Sequence, residues 1–97
     1  MDIKNLAPII LFTYNRPWHT QKVLQSLRQN KLSELSELYI FSDGAKDDKD
    51  EAPVSQTRKL LTDEAKGFKS ITIIERPVNY GLAANIIDGV TFVIEKH

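Results

Sequence analysis

Three short polar stretches stand where apolar runs end: Thr13-Tyr14-Asn15-Arg16, Ser42-Asp43-Gly44 and Arg76-Pro77-Val78-Asn79-Tyr80-Gly81. Their side chains are those of ligand recognition. A carboxylate or amide at Asp43 or Asn15 can accept a ligand N–H, and a guanidinium at Arg76 can reach a ribose or a diphosphate. Pro77 pushes Arg76 toward an extended backbone, which predicts a side chain projecting at a crevice rim. Taken singly, each stretch also has a plain structural reading. Asn15 would cap a helix beside a solvated Arg16. Asp43-Gly44 would be a turn in which glycine permits positive φ, and Arg76 would be a surface cation beside another turn. Three such turns at equivalent positions point instead to one shared site, because in an open α/β sheet ligands bind beyond the carboxyl ends of the strands.

Other chemistry finds less support. Asp47, Asp48, Asp50 and Glu51 could offer oxygens to a hard cation, but lysines interleave them and the spacing is not that of an EF-hand, so the run reads as a solvated loop. His19 and His97 have no Cys or carboxylate at ligand spacing. The chain has no cysteine, which excludes disulfides, thiolate metal sites and thiol nucleophiles. No Ser/His/Asp constellation with an orienting partner can be assembled, and no glycine-rich phosphate loop is present. Thirteen basic and thirteen acidic residues cancel, and no basic stripe interleaves with aromatics, which argues against nucleic acid as a partner.

The elements that must position these turns follow from periodicity. Ala7 to Tyr14 is a nearly continuous apolar run, the pattern of a strand buried on both faces. Pro17 suits the first turn of a helix whose apolar positions are Trp18, Val23, Leu24 and Leu27. A short second strand, Leu38 to Phe41, precedes Ser42-Asp43-Gly44. Pro53 then opens a helix through roughly Lys66, with Leu60, Leu61 and Ala65 as its core stripe and Gly67 as its stop. Ile71 to Ile74 is a third strand. A last helix from near Gly81 carries Leu82, Ile86, Val90 and Val93 beside Ala83, Ile87 and Ile94, an arc wide enough to lie flat on a sheet. The order βαβαβα, with strands near residues 7 to 14, 37 to 42 and 70 to 76, predicts a single α/β domain. Its sheet is parallel in the order 1-2-3, with two helices on one face and the third on the other.

The same residues carry a resemblance to the nucleotide-sugar half of a GT-A glycosyltransferase of the inverting, family-2-like type, spanning Ala7 to Ile94. Tyr14-Asn15-Arg16 resembles the signature turn that walls the nucleoside pocket in that family. Asp43 matches the aspartate that accepts a base N–H, and Asn79-Tyr80-Gly81 resembles the Asn-x-Gly element beside the ribose. The run Gly81-Leu82-Ala83-Ala84-Asn85-Ile86-Ile87-Asp88-Gly89-Val90 is similar to a bacterial subgroup, which adds Asn85 and Asp88 as further candidates. The chain departs from the family at Phe12, where some relatives have a polar residue, and at Ser42, where many have a second acid. It departs again at Ile86-Ile87, where the commoner version has Arg-Asn.

The resemblance implies a Rossmann-like fold and substrate-binding residues Thr13, Tyr14, Asn15, Arg16, Asp43, Arg76, Asn79 and Gly81. It implies a parent enzyme that moves a sugar from a nucleotide diphosphate to an acceptor hydroxyl. In complete members an Asp-x-Asp motif holds Mg or Mn on the diphosphate. This chain stops at His97, directly after an amphipathic run and before that motif, so the fragment is expected to bind a nucleotide sugar weakly, to be inactive, and to hold no cofactor itself. Removing the strand that would follow leaves Pro8 to Phe12 as an apolar sheet edge, which predicts self-association. Two alternatives stay open: a non-catalytic α/β binding or assembly module, and a nucleotidyltransferase-like enzyme. The N-terminus has no basic region leading into an apolar stretch, and no window approaches a membrane span, so the chain is expected to be unprocessed, soluble and cytoplasmic.

Overall fold

The structure is a computed structural model that describes residues 6–97. Three strands, β1 (Ile9–Thr13), β2 (Glu37–Ser42) and β3 (Ser70–Glu75), alternate with three helices, α1 (Pro17–Arg28), α2 (Asp48–Glu64) and α3 (Leu82–Lys96). A single 3-10 turn, Ser33–Leu35, leads into β2. The sheet is parallel throughout, in the order β1-β2-β3, with Thr13 level with Ser42 and Ser42 level with Glu75. All three carboxyl ends therefore open on the same side. This is the α/β, Rossmann-like arrangement that the alternation of elements predicts.

Strand alternation sorts the core into two halves. Ile9, Leu11, Leu38, Ile40, Ile71 and Ile73 turn to one face, where Leu24 of α1 and Leu61 of α2 complete the cluster. Ile10, Phe12, Tyr39, Phe41 and Ile74 turn to the other, against Phe92 and Val93 of α3. Phe41 is fully buried; it stacks on Phe12 at 5.5 Å and meets Phe92 edge-on at 5.9 Å. Burying a side chain of that size stabilises by about 1.5–3 kcal/mol. Gly89 lets α3 come this close, since a Cβ there would lie 2.8 Å from the Phe12 ring.

The helices differ from expectation in three respects. First, α2 starts at Asp48 rather than near Pro53, because Asp47 caps it: its carboxylate accepts from Lys49 N–H at 3.0 Å. Asp48, Asp50 and Glu51 then occupy the first turn, where the free N–H groups and helix dipole favour acids. The charged run is thus the start of a helix and not a loop, and Pro53 sits inside that helix. Second, Trp18 at the start of α1 is 71% exposed and belongs to neither core cluster. Third, α3 does not bury its whole apolar arc. Asn85, Gly89 and Val93 are buried, whereas Leu82, Ile87 and Ile94 remain about 70% exposed.

Among the described residues, strand β1 is an edge. The Thr13 carbonyl accepts from Asp43 N–H at 2.9 Å, so in a parallel ladder residues 9, 11 and 13 turn their backbone groups toward β2. Ile10 and Phe12 consequently point their N–H and C=O groups outward.

Candidate functional site

The carboxyl ends of the strands and the N-termini of α1 and α3 enclose a cavity of about 550 Å³. Thr13, Tyr14, Asn15 and Arg16 line it from the end of β1; Asp43 from the end of β2; Asn79, Gly81 and Asn85 from the segment after β3. Seven of the eight sequence-derived site residues thus share one cavity, and Asn85, the lower-ranked candidate, joins them. His19, Lys46 and Leu82 complete the mouth. The volume is within the range of small-molecule sites, about 300–1,000 Å³.

Asp43 is the centre of the wall and is only 4% exposed. Its Oδ1 accepts from the N–H groups of Gly44 at 2.9 Å and Tyr80 at 2.8 Å. Its Oδ2 accepts from Gly81 N–H at 3.1 Å and Asn79 Nδ2 at 3.3 Å. Four donors fill the acceptor capacity of a carboxylate. Asp43 therefore binds the turn after β3 rather than presenting a free acceptor to the cavity. Asn79 also donates to the Gly44 carbonyl at 2.8 Å, closing the contact between the two turns.

Gly44 serves a different end from the one its turn chemistry predicts. Its φ is not positive; positive φ among the described glycines belongs to Gly67 and Gly81. Space is the reason for glycine here, since a Cβ at 44 would lie 2.5 Å from the Val78 carbonyl carbon. Gly81 holds φ at 82° as the N-cap of α3, a left-handed backbone that glycine adopts without strain.

Arg76 is not at a crevice rim. Its side chain is 8% exposed and passes beneath α3, with Cζ 5.0 Å from the Phe41 ring centre and 4.6 Å from that of Tyr80. Nε donates to Asn85 Oδ1 at 3.1 Å, and Nη2 lies 2.7 Å from Asp88 Oδ2 as an ion pair without an aligned hydrogen bond. The extended backbone expected from Pro77 continues the β3 ladder, with Arg76 N–H donating to the Ser42 carbonyl at 2.8 Å. Burial under Tyr80 follows, and the guanidinium orients α3 instead of lining the cavity.

Asn15 does not cap α1, because Arg16 is the N-cap residue. Asn15 donates instead to Asp50 Oδ1 at 2.9 Å, and the Tyr14 hydroxyl donates to Asp50 Oδ2 at 2.5 Å. Asp50 thus ties the β1–α1 turn to the first turn of α2, a role the sequence reading did not assign. The bond from Tyr14, then that from Asn15, holds the Asp50 carboxyl below its ordinary range. The same bond to Asp50 raises the Tyr14 phenol above its ordinary value. Lys46 N–H donates to the Tyr14 oxygen at 3.2 Å, so this hydroxyl both gives and receives.

Thr13 lines the cavity, and its hydroxyl is buried without a hydrogen-bond partner. Divalent metal, which the resemblance implies for a complete enzyme, does not fit these residues. Among the described residues no three His, Cys, Asp or Glu side chains come together, and the acids of the Asp47–Glu51 run serve as cap and crosslink. No helix among the described residues is long and apolar enough to cross a membrane.

No protein-family model, curated protein or solved structure matches the chain.

Proposed function

We propose that this chain is the nucleotide-recognition half of a sugar transferase, whose cavity takes a nucleoside diphosphate sugar of the uridine type. The observation that carries the reading is convergence: Thr13 to Arg16, Asp43, Asn79 and Gly81 come from the ends of three parallel strands and meet around one cavity. Tyr14 and Asn15 supply polar groups at one wall, the Asn79 to Gly81 turn forms the opposite wall, and Arg16 and Lys46 bring positive charge to the mouth, where phosphates would lie. With no group of three metal-ligating side chains among the described residues to clamp a diphosphate, affinity for UDP is roughly millimolar, about −4 kcal/mol. The chain as it stands binds without transferring sugar, since the carboxylate that lines the cavity, Asp43, is engaged in hydrogen bonds.

Titrating UDP while following backbone amide shifts tests the reading. Shifts at residues 13 to 16, 43 and 79 to 81 are expected; shifts confined to other residues, or none at all, would sink it.

A second reading concerns assembly and rests on the open edge of β1. Ile10 and Phe12 offer outward N–H and C=O groups with no charged residue from Ala7 to Tyr14 to discourage pairing. Two copies meeting edge to edge about a two-fold axis would continue the sheet and satisfy those groups in both.

A further inference from the structure

The carboxyl ends of β2 and β3 are held from two sides. On the cavity side, the Asp43 carboxylate gathers the N–H groups of Tyr80 and Gly81. On the opposite side a single guanidinium, Arg58 of α2, gathers oxygens. Its Nε donates to Ser42 Oγ at 3.0 Å, and its Nη2 reaches the carbonyls of Ser42 at 3.3 Å, Asp43 at 3.2 Å and Arg76 at 2.8 Å. The Ser42 carbonyl also accepts from Arg76 N–H at 2.8 Å, the last ladder bond, whereas the Asp43 and Arg76 carbonyls lie where the ladder ends and take their hydrogen bonds from Arg58. Charge-assisted bonds of this kind are stronger than neutral ones, and the planar fork fixes direction as well as distance.

We propose that Arg58 is a positioning residue of the cavity: by holding the Asp43 backbone against that of Arg76, it sets the Asp43 carboxylate under the Asn79–Gly81 turn and so fixes the wall on which the ligand lies. Of the hydrogen bonds that Arg58 makes, only that to Asp43 reaches a residue lining the cavity; its own outer side faces a separate, shallow hollow of about 530 Å³ that it shares with Lys59 and Glu75. The chemistry needs arginine. A lysine ammonium is one compact donor centre and cannot span oxygens on two strands. An apolar side chain would leave the Asp43 and Arg76 carbonyls without this donor, while Ser42 keeps its bond from Arg76 N–H. The Leu24–Leu61 and Phe41–Val93 clusters lie farther down the strands, apart from this contact.

The ligand arm of the test rests on the nucleotide reading above, and the backbone arm does not. Arg58→Met, Arg58→Lys and, as a control on the same hollow, Lys59→Ala are compared with the unaltered chain. The amide protons of Tyr80 and Gly81, each donated to a carboxylate, should resonate downfield and exchange slowly. In Arg58→Met these two lose their downfield position and exchange about tenfold faster, while the Ile40 and Ile73 amides keep theirs, and the UDP dissociation constant rises several-fold. Arg58→Lys falls between, and Lys59→Ala matches the unaltered chain. Unchanged Tyr80 and Gly81 amides in Arg58→Met overturn the proposal. So does equal acceleration at Ile40, which would make Arg58 an ordinary stabilising residue. If Arg58→Met does not fold, Arg58→Lys is read by the same criteria. If the unaltered chain binds UDP and Arg58→Met binds it equally well despite a displaced turn, the wall does not position the ligand and the proposal fails. If the unaltered chain gives no UDP shifts, the nucleotide reading fails, and the proposal that Arg58 positions the wall is then decided by the amides alone.

Discussion

Replacing Asp43 by asparagine changes one oxygen to an amide nitrogen and little else in volume. The remaining Oδ1 can keep the N–H groups of Gly44 and Tyr80. The new Nδ2 then faces Gly81 N–H and Asn79 Nδ2, two donors that previously shared Oδ2. Donor now meets donor at a position 4% exposed, where water has little access. Asn79 keeps its bond to the Gly44 carbonyl, so the groups left without an acceptor are Gly81 N–H and the new amide itself; at about 1–3 kcal/mol each they give a loss of about 3 kcal/mol. For a chain of 97 residues that corresponds to a fall of about 15 °C in Tm, at roughly 4–8 °C per kcal/mol. Urea unfolding followed by far-ultraviolet circular dichroism measures it directly, with Asp63→Asn on the exposed side of α2 as a control expected within about 0.5 kcal/mol. An Asp43→Asn chain as stable as the control would refute the view that this carboxylate is fully used inside the protein, and would return it to the ligand.

Gly44→Ala forces a Cβ against the Val78 carbonyl, whose carbon would be 2.5 Å away and whose oxygen 2.6 Å; since the obstacle is backbone, a loss of about 3 kcal/mol is expected in the same urea assay. The Asp50 carboxyl, lowered by its bonds from Tyr14 and Asn15, contributes stability that is full above the ordinary carboxylate range and is lost as pH falls through its lowered value. Following the Asp50 side-chain carbon by NMR, Tyr14→Phe should move the titration midpoint upward; an unmoved midpoint would show that the phenol does not hold the carboxylate. On the alkaline side Tyr14, raised by the same bond, contributes stability that is present below the ordinary phenol value and is lost as pH rises through the raised one, which ultraviolet titration of the phenol would register as late ionisation. Sedimentation at micromolar concentration should find a dimer through the β1 edges, and a clean monomer would remove the assembly reading.

What could be read in advance followed from local rules. The apolar run from Ala7, the short run before Ser42 and the Ile71 to Ile74 run became β1, β2 and β3 because each is long enough only for a strand and is bounded by turn residues. Handedness then placed α1 and α2 together opposite α3. The side-chain partners that set the site are long-range and have no local signal. Nothing near Arg58 indicates that it will meet carbonyls 15 to 18 residues away, and nothing near Asp50 announces Tyr14, 36 positions earlier. Arg76 was placed by its backbone alone, whereas the aromatic faces of Phe41 and Tyr80 determined where its side chain went. The start of α2 has a local signal: an acid run after Asp47 is the composition of a helix N-terminus, and Pro53, which suits a first turn, lies inside the helix instead.

The bond between Asp43 and Tyr80 joins residues 37 positions apart. Until the third βα unit is in place, Asp43 is a hydrated charge with no turn to hold. Only the arrival of the third unit converts that charge into the organiser of a wall. Completing the fold and creating the cavity are therefore one event, with no partly assembled species in which the wall stands and β3 does not. Proteolytic nicking between β3 and α3 would accordingly cut into the wall itself, although the cut falls in an exposed turn.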